Sequence, residues 1–183
     1  TGRAVRTNKV FARDFHVYVS AQCTHDTPAC LMIFQDGERY LGPEAKTPIV
    51  LDNLVAEGAM PPMVAAFVQP GSPGPGLPIY GGEGNRSVEY DSPDSRYSRF
   101  LLEELMPAIE RIQRIPGDPT HRALCGISSG GHCAFAAAWH RPDAFGKVIS
   151  HCGSFVGLRG GDAWPTIVRR EPLRPLKIFL QTG

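Results

Sequence analysis

Arg122-Ala123-Leu124-Cys125-Gly126-Ile127-Ser128-Ser129-Gly130-Gly131 reads as a strand, a sharp bend and the start of a helix within ten residues. Arg122 to Gly126 is a short, mostly apolar strand. Ser129 to His140 is a helix crowded with Ala134, Ala136, Ala137 and Ala138, small enough to sit close against a sheet. Between them, Gly126-Ile127-Ser128-Ser129-Gly130 matches G-x-S-x-G, the turn that lifts a nucleophilic serine above the sheet of a hydrolase. The bend is so tight that side chains two residues before and after the serine would collide, so glycines stand there. Gly131 adds another position without a side chain. Ser128 is the nucleophile candidate and Ser129 is not, because only Ser128 has both glycines in register. A Gly-rich turn with a serine N-cap is the plain alternative.

On either side lie further buried strands. Cys30-Leu31-Met32-Ile33-Phe34-Gln35 and Pro62 to Val68 are continuous apolar runs, the mark of strands covered on both faces. Phe15 to Ser20 alternates, and Lys147 to His151 and Leu176 to Gln181 complete the strands. A helix is expected from Pro48 to about Glu57, with Ile49, Leu51, Leu54 and Val55 as its inner stripe and Gly58 as its stop. Ser92-Pro93 opens a second helix, on which Leu102, Leu105, Ile109 and Ile112 recur at spacings of three and four, and Pro116 ends it. One short helix fits between Gly160 and Arg170. Residues 70–92 are rich in Gly, Pro and Ser and read as a long loop. Strands alternating with helices call for an α/β fold: a mostly parallel sheet with helices on both faces. No repeat or linker divides residues 1–183, so a single domain is expected.

Composition narrows the function. The chain has 183 residues, with 42% hydrophobic and 20% charged, which suits a folded globular domain. A net charge of +1 carries no basic surplus for nucleic acid. No apolar run is long enough to span a bilayer. The chain begins with Thr1, so the start is read as trimmed. The five cysteines (Cys23, Cys30, Cys125, Cys133, Cys152) contain no C-x-x-C pair, and neither H-E-x-x-H nor another metal-ligand cluster appears. No metal and no cofactor is implied. Cys23 and Cys30 would close a small loop as a disulfide, but the odd count favours free thiols and tilts the compartment towards the cytoplasm.

A serine nucleophile needs an oxyanion hole. One donor is expected from the Ser129 amide and the other from the loop after the third strand of the fold, here Asp36-Gly37-Glu38-Arg39, through the amide of Glu38 or Gly37. An ordinary Asp-Gly turn is the alternative there.

Several ordered blocks carry a resemblance. They are Gln35-Asp36-Gly37-Glu38-Arg39-Tyr40, Leu51 to Gly58 with Pro61-Pro62-Met63, Asn85-Arg86-Ser87-Val88-Glu89-Tyr90, Phe100 to Pro107, Cys125 to Gly131, and Gly153-Ser154-Phe155. Together the chain resembles the enterochelin-esterase-like branch of the "Putative esterase" (esterase D-like) family of the α/β-hydrolase superfamily, from about Phe15 to Gly183. The resemblance implies an α/β-hydrolase fold and a serine carboxylic-ester hydrolase working through a Ser128 acyl-enzyme. Siderophore, feruloyl or acetyl-sugar esters are the substrate classes it brings, and an ester of a small molecule or saccharide is the expected partner. It carries over Ser129 and Glu38 as oxyanion amides and sets Arg86 and Glu89 in a loop beside the active site. Alternatively, those two form an ion pair that anchors the loop. Arg39, Tyr40, Arg86 and Tyr90 are the substrate-side candidates, joined by His151 at the end of its strand. A hydrolase-fold binding module and an acyltransferase using the same serine are the rival readings.

The base and acid of the triad are not legible. After Ser128 the only histidines are His132, His140 and His151. His132 lies one turn along the nucleophile's own helix and faces away, His140 sits at that helix's far end, and His151 suits a pocket wall better than a base. Similar proteins carry the acid in a loop after the strand that ends here at Gln181, and the histidine later still. The chain is therefore expected to lack its C-terminal part.

Overall fold

The apolar runs at Cys30–Gln35 and Met63–Val68 become the strands β3 and β4 of a computed structural model that describes residues 3–7, 11–24, 26–71 and 85–182. The first strands are β1 (Arg3–Thr7) and β2 (Phe11–Val19). After β3 come α1 (Gly37–Leu41), α2 (Thr47–Ala56) and then β4. Next follow α3 (Arg86–Tyr90), α4 (Arg96–Phe100), a π-helical turn at Leu101–Leu105, and α5 (Met106–Glu110). The chain continues with β5 (Arg122–Ile127), α6 (Ser129–His140), β6 (Lys147–His151), α7 (Trp164–Arg170) and β7 (Lys177–Gln181).

The seven strands form one sheet in the order β1-β2-β4-β3-β5-β6-β7. From β4 to β7 every pairing is parallel, while β2 runs antiparallel to both β1 and β4. Alternate residues of each buried strand feed opposite layers. Leu31, Ile33, Val64, Ala66, Leu124 and Val148 join α4 to α6 in the larger core. Met32, Phe34, Ala65, Phe67 and Cys125 pack with Leu51 and Val55 of α2 in the smaller one. Each of the Leu, Ile, Val, Met and Phe side chains sealed from water contributes about 1.5–3 kcal/mol.

The structure departs from the sequence reading in several places. β1 was not expected. On α2, only Leu51 and Val55 of the expected stripe are buried, and Ile49 is 57% exposed. Much of the expected loop 70–92 lies outside the described residues, but its end, Arg86–Tyr90, is helical. The second long helix starts at Arg96 instead of Ser92 and passes through the π turn, where Pro107 has no N–H to offer Glu103. The wider turn rotates the stripe, so Leu101, Leu105 and Ile109 are buried while Ile112 is 48% exposed. Cys23 and Cys30 are free thiols.

Candidate active site

β5 ends against α6 in the bend that the glycines foretell. Ser128 has φ 56° and ψ −124°, a backbone conformation that costs a non-glycine residue on the order of 1–3 kcal/mol. A Cβ on Gly126 would stand 2.2 Å from the Gly130 carbonyl carbon, which explains the first glycine. On Gly131 it would come within 2.6 Å of Ser150 Oγ. The bend is fastened on the other side by β6, where the Ser128 N–H donates to the His151 carbonyl at 2.9 Å. The Ser128 side chain is exposed, and its Oγ lies 3.0 Å from Ser154 Oγ, whose own N–H donates to the Ser128 carbonyl. Ser129, buried beside it, opens α6, and the first-turn N–H groups have no carbonyl within the helix to bond.

The β3–α1 turn abuts this bend. A Cβ on Gly130 would lie 3.2 Å from Asp36 Oδ2 and 3.3 Å from Gln35 Cβ, so the head of α6 sits directly against the end of β3. Asp36 adopts the left-handed region with φ 57°. Gly37 passes so close to β4 that a Cβ would meet the Phe67 carbonyl carbon at 2.3 Å. Gly37 and Glu38 then start α1, with first-turn N–H groups free of helical partners, and the Glu38 and Arg39 side chains are exposed. The two expected sources of oxyanion donors are thus neighbours at the C-terminal end of the sheet.

Three of the expected substrate-side residues already have partners within the fold. Tyr90 is 0% exposed; its hydroxyl accepts the Asp36 N–H at 3.3 Å, and burial pushes its pKa well up. Tyr40 packs on Phe34 with ring centroids 4.8 Å apart, and its hydroxyl accepts from the buried Cys125 thiol at 3.5 Å. Burial pushes that thiol up to about 12, so it is inert. Arg86 gives Nε and NH2 to the two Asp36 oxygens at 2.7 and 2.6 Å, and these hydrogen bonds raise its pKa. Arg86 and Glu89 therefore do not pair with each other. Glu89 instead accepts from Arg13 of β2 and from the Gly71 N–H. Burial opposes the Arg13 charge, but Glu89 outweighs it and the pKa is raised; the guanidinium also lies 3.8 Å over the Phe100 ring.

Of the histidines, His132 is sealed in the core. Its Nδ1 can only donate to the Tyr90 carbonyl at 2.7 Å, which leaves Nε2 to accept from Trp164 Nε1–H at 2.7 Å. That is a neutral ring with both nitrogens used, and burial lowers its pKa. His140 Nε2 lies against the Pro93 carbonyl. His151 is half-buried, with Nδ1 on Gln181 Oε1 of β7. The sequence reading missed Ser154 and the part played by Asp36. Both lie in the blocks Gly153-Ser154-Phe155 and Gln35-Asp36-Gly37, but only the fold brings them to Ser128 and Arg86. Among the described residues, no His/Cys/Asp/Glu group is arranged to hold a metal, and no helix is long and apolar enough to cross a membrane.

Known proteins share the sequence pattern and the fold. The iron(III) enterobactin esterase of Dickeya dadantii is 29% identical over 130 residues, covering 70% of this chain and 26% of that protein. An endo-1,4-beta-xylanase/feruloyl esterase of Xylanibacter ruminicola is 24% identical over 143 residues, or 76% of this chain and 17% of that protein. Among solved structures, the enterobactin esterase of Shigella flexneri in the presence of enterobactin superposes with a TM-score of 0.78 at 18% identity, over 97% of this chain and 44% of that one. A ferulic acid esterase superposes with a TM-score of 0.75 at 16% identity, over 100% and 90%. The fold is therefore the α/β fold of these esterases, and the chain spans about a quarter or less of the length of the curated relatives it matches. With the family profile described as "Putative esterase" matching residues 9–183, nearly the whole chain, the protein belongs to that esterase family.

Proposed function

We propose that the protein is a serine carboxylic-ester hydrolase in which Ser128 forms an acyl-enzyme, and that residues 1–183 are one domain. The observation that carries this reading is Ser128 itself: an exposed hydroxyl on a strained backbone, at the head of α6, between Gly126, which has no room for a Cβ, and Gly130, which has little. Ser128 Oγ attacks the ester carbonyl, and the N–H groups of Ser129 and of Glu38 or Gly37 stabilise the charge on its oxygen. The alcohol leaves with a proton, and water then releases the acid and restores the serine. The proton must pass through a base. His132 is sealed, His140 sits on Pro93, and the His151 ring is held by Gln181. In this reading the base and its orienting acid come from polypeptide outside the described residues.

Relatives named for enterobactin and feruloyl esters support a siderophore or hydroxycinnamoyl ester as substrate. Arg39 on the exposed face of α1 and His151 at the end of β6 are the side chains taken to meet it. The test is hydrolysis of p-nitrophenyl acetate by the whole protein, with labelling by a fluorophosphonate. Ser128→Ala is expected to abolish both. Unchanged hydrolysis by that variant would sink the proposal, and a wild-type protein that neither hydrolyses nor labels would point to a binding module.

A further inference from the structure

We infer that Arg86 is a positioning residue for the oxyanion hole. Through Asp36 it holds the β3–α1 turn at the height where the Gly37 and Glu38 amides face the carbonyl oxygen. The inference rests on the serine-esterase reading above.

Asp36 sits directly before both candidate donors and occupies a left-handed conformation, which an aspartate adopts when its side chain is hydrogen-bonded. Three contacts keep it there, and two come from α3. Arg86 binds both carboxylate oxygens, and the Tyr90 hydroxyl accepts the Asp36 N–H. The third is the packing of Asp36 Oδ2 on the head of α6, with no more room than a glycine leaves. The same short helix is tied elsewhere as well. Its Tyr90 carbonyl receives His132 from α6, one turn beyond Ser129, and its Glu89 receives Arg13 from β2. Thus α3 bonds to the element bearing each donor, and Arg86 is its only side chain on the turn's carboxylate. With the Asp36 side chain 7% exposed and that of Arg86 20% exposed, the pair is shielded enough to hold geometry. The bidentate fork fixes direction as well as distance, which a lysine would not reproduce.

A shift of the turn would misplace the donor without touching substrate binding elsewhere. Losing one oxyanion donor costs on the order of 10²–10³ in kcat, so loosening one costs about 10- to 100-fold.

The experiment compares wild type, Ser128→Ala, Arg86→Lys and Arg86→Gln in the whole protein, below each variant's melting temperature, with p-nitrophenyl acetate. Both Arg86 variants are expected to lose kcat by about 10- to 100-fold, with KM changed by less than about threefold. Guanidinium ion at millimolar concentration is expected to restore part of the rate in Arg86→Gln. Hydrogen–deuterium exchange is expected to rise in the peptide spanning residues 35–41 and to stay unchanged over β5. This readout needs no turnover, so it tests the clamp even if Ser128→Ala keeps full activity and the esterase reading itself fails. Wild-type kcat in both Arg86 variants beside a dead Ser128→Ala would overturn the inference, as would unchanged exchange over residues 35–41.

Discussion

The two flanks of Ser128 are built differently. On the β3 side, the bend and the neighbouring turn are closed in: Gly126, Gly37 and Gly130 leave a Cβ almost no room, and Asp36, Tyr90 and His132 are all buried. On the β6–β7 side, the nucleophile meets the Ser154 hydroxyl and a half-buried His151, and every residue of β7 is exposed. The closed flank supplies backbone N–H groups, whose directions are set by the fold. The open flank supplies side chains, which can be exchanged or covered. Stabilising the oxyanion depends on the first kind of group, and proton transfer depends on the second.

The sharpest way to test this contrast is Gly126→Ala. A Cβ would be 2.2 Å from the Gly130 carbonyl carbon and oxygen, so backbone must move. A loss of about 3 kcal/mol or more, or failure to fold, is expected in urea denaturation. Gly157→Ala, where a Cβ meets nothing within 4 Å, is the control and should stay within about 0.5 kcal/mol. Equal midpoints for the two would remove the steric argument for the bend.

These glycines were legible because a tight bend leaves its mark in adjacent letters. So do β3 and β4, whose apolar runs state their burial. The partners of Arg86 and Glu89 were not legible, because Asp36 lies 50 residues from Arg86 and Arg13 lies 76 from Glu89. Charge alone paired the two wrongly. Nor was the partner of the Tyr90 hydroxyl legible, since the Asp36 amide that it accepts from lies 54 residues away. The π turn was hidden for another reason. One extra residue per turn shifts the stripe from Leu102 to Leu101 without changing the apolar spacing that announces a helix.

The next effect in size concerns His132, the link between α3, α6 and α7. Trp164→Phe leaves the buried Nε2 without its donor, at a cost of about 1–3 kcal/mol. The pH dependence follows from burial, which lowers the His132 pKa below its ordinary 6.5, with the hydrogen bond to the Tyr90 carbonyl and then Asp91 only partly opposing. The unfolded chain therefore binds a proton that the folded chain resists. Stability is full above about pH 6.5 and falls as the pH drops below it. Thermal unfolding across pH 7.5 to 5 should show a steeper loss in wild type than in His132→Gln. An equal slope would mean that the buried ring does not set the acid sensitivity of this flank.

On the open flank the effects shrink. Ser154→Ala removes one hydroxyl 3.0 Å from Ser128 Oγ. A single hydrogen bond of about 0.5–1.5 kcal/mol corresponds to a roughly two- to tenfold fall in kcat, with fluorophosphonate labelling retained. A fall as large as that of Ser128→Ala would place Ser154 in the machinery itself.

Smallest of all should be Phe179→Ser. Phe179 is 58% exposed, and Ile178 and Leu180 beside it are 40% and 58% exposed, so little apolar area leaves water when β7 forms. Phe67 on β4 is 0% exposed, and Phe67→Ala should cost about 3–5 kcal/mol. In residues 1–183 taken alone, Phe179→Ser should cost less than about 1 kcal/mol. Denaturation midpoints of the two variants measure the asymmetry of the sheet directly. If in the whole protein Phe179→Ser cost several kcal/mol, β7 would have to pack under another segment there. The flank would then be as closed as its opposite, and the distinction between fixed backbone donors and exchangeable side chains would no longer follow from burial.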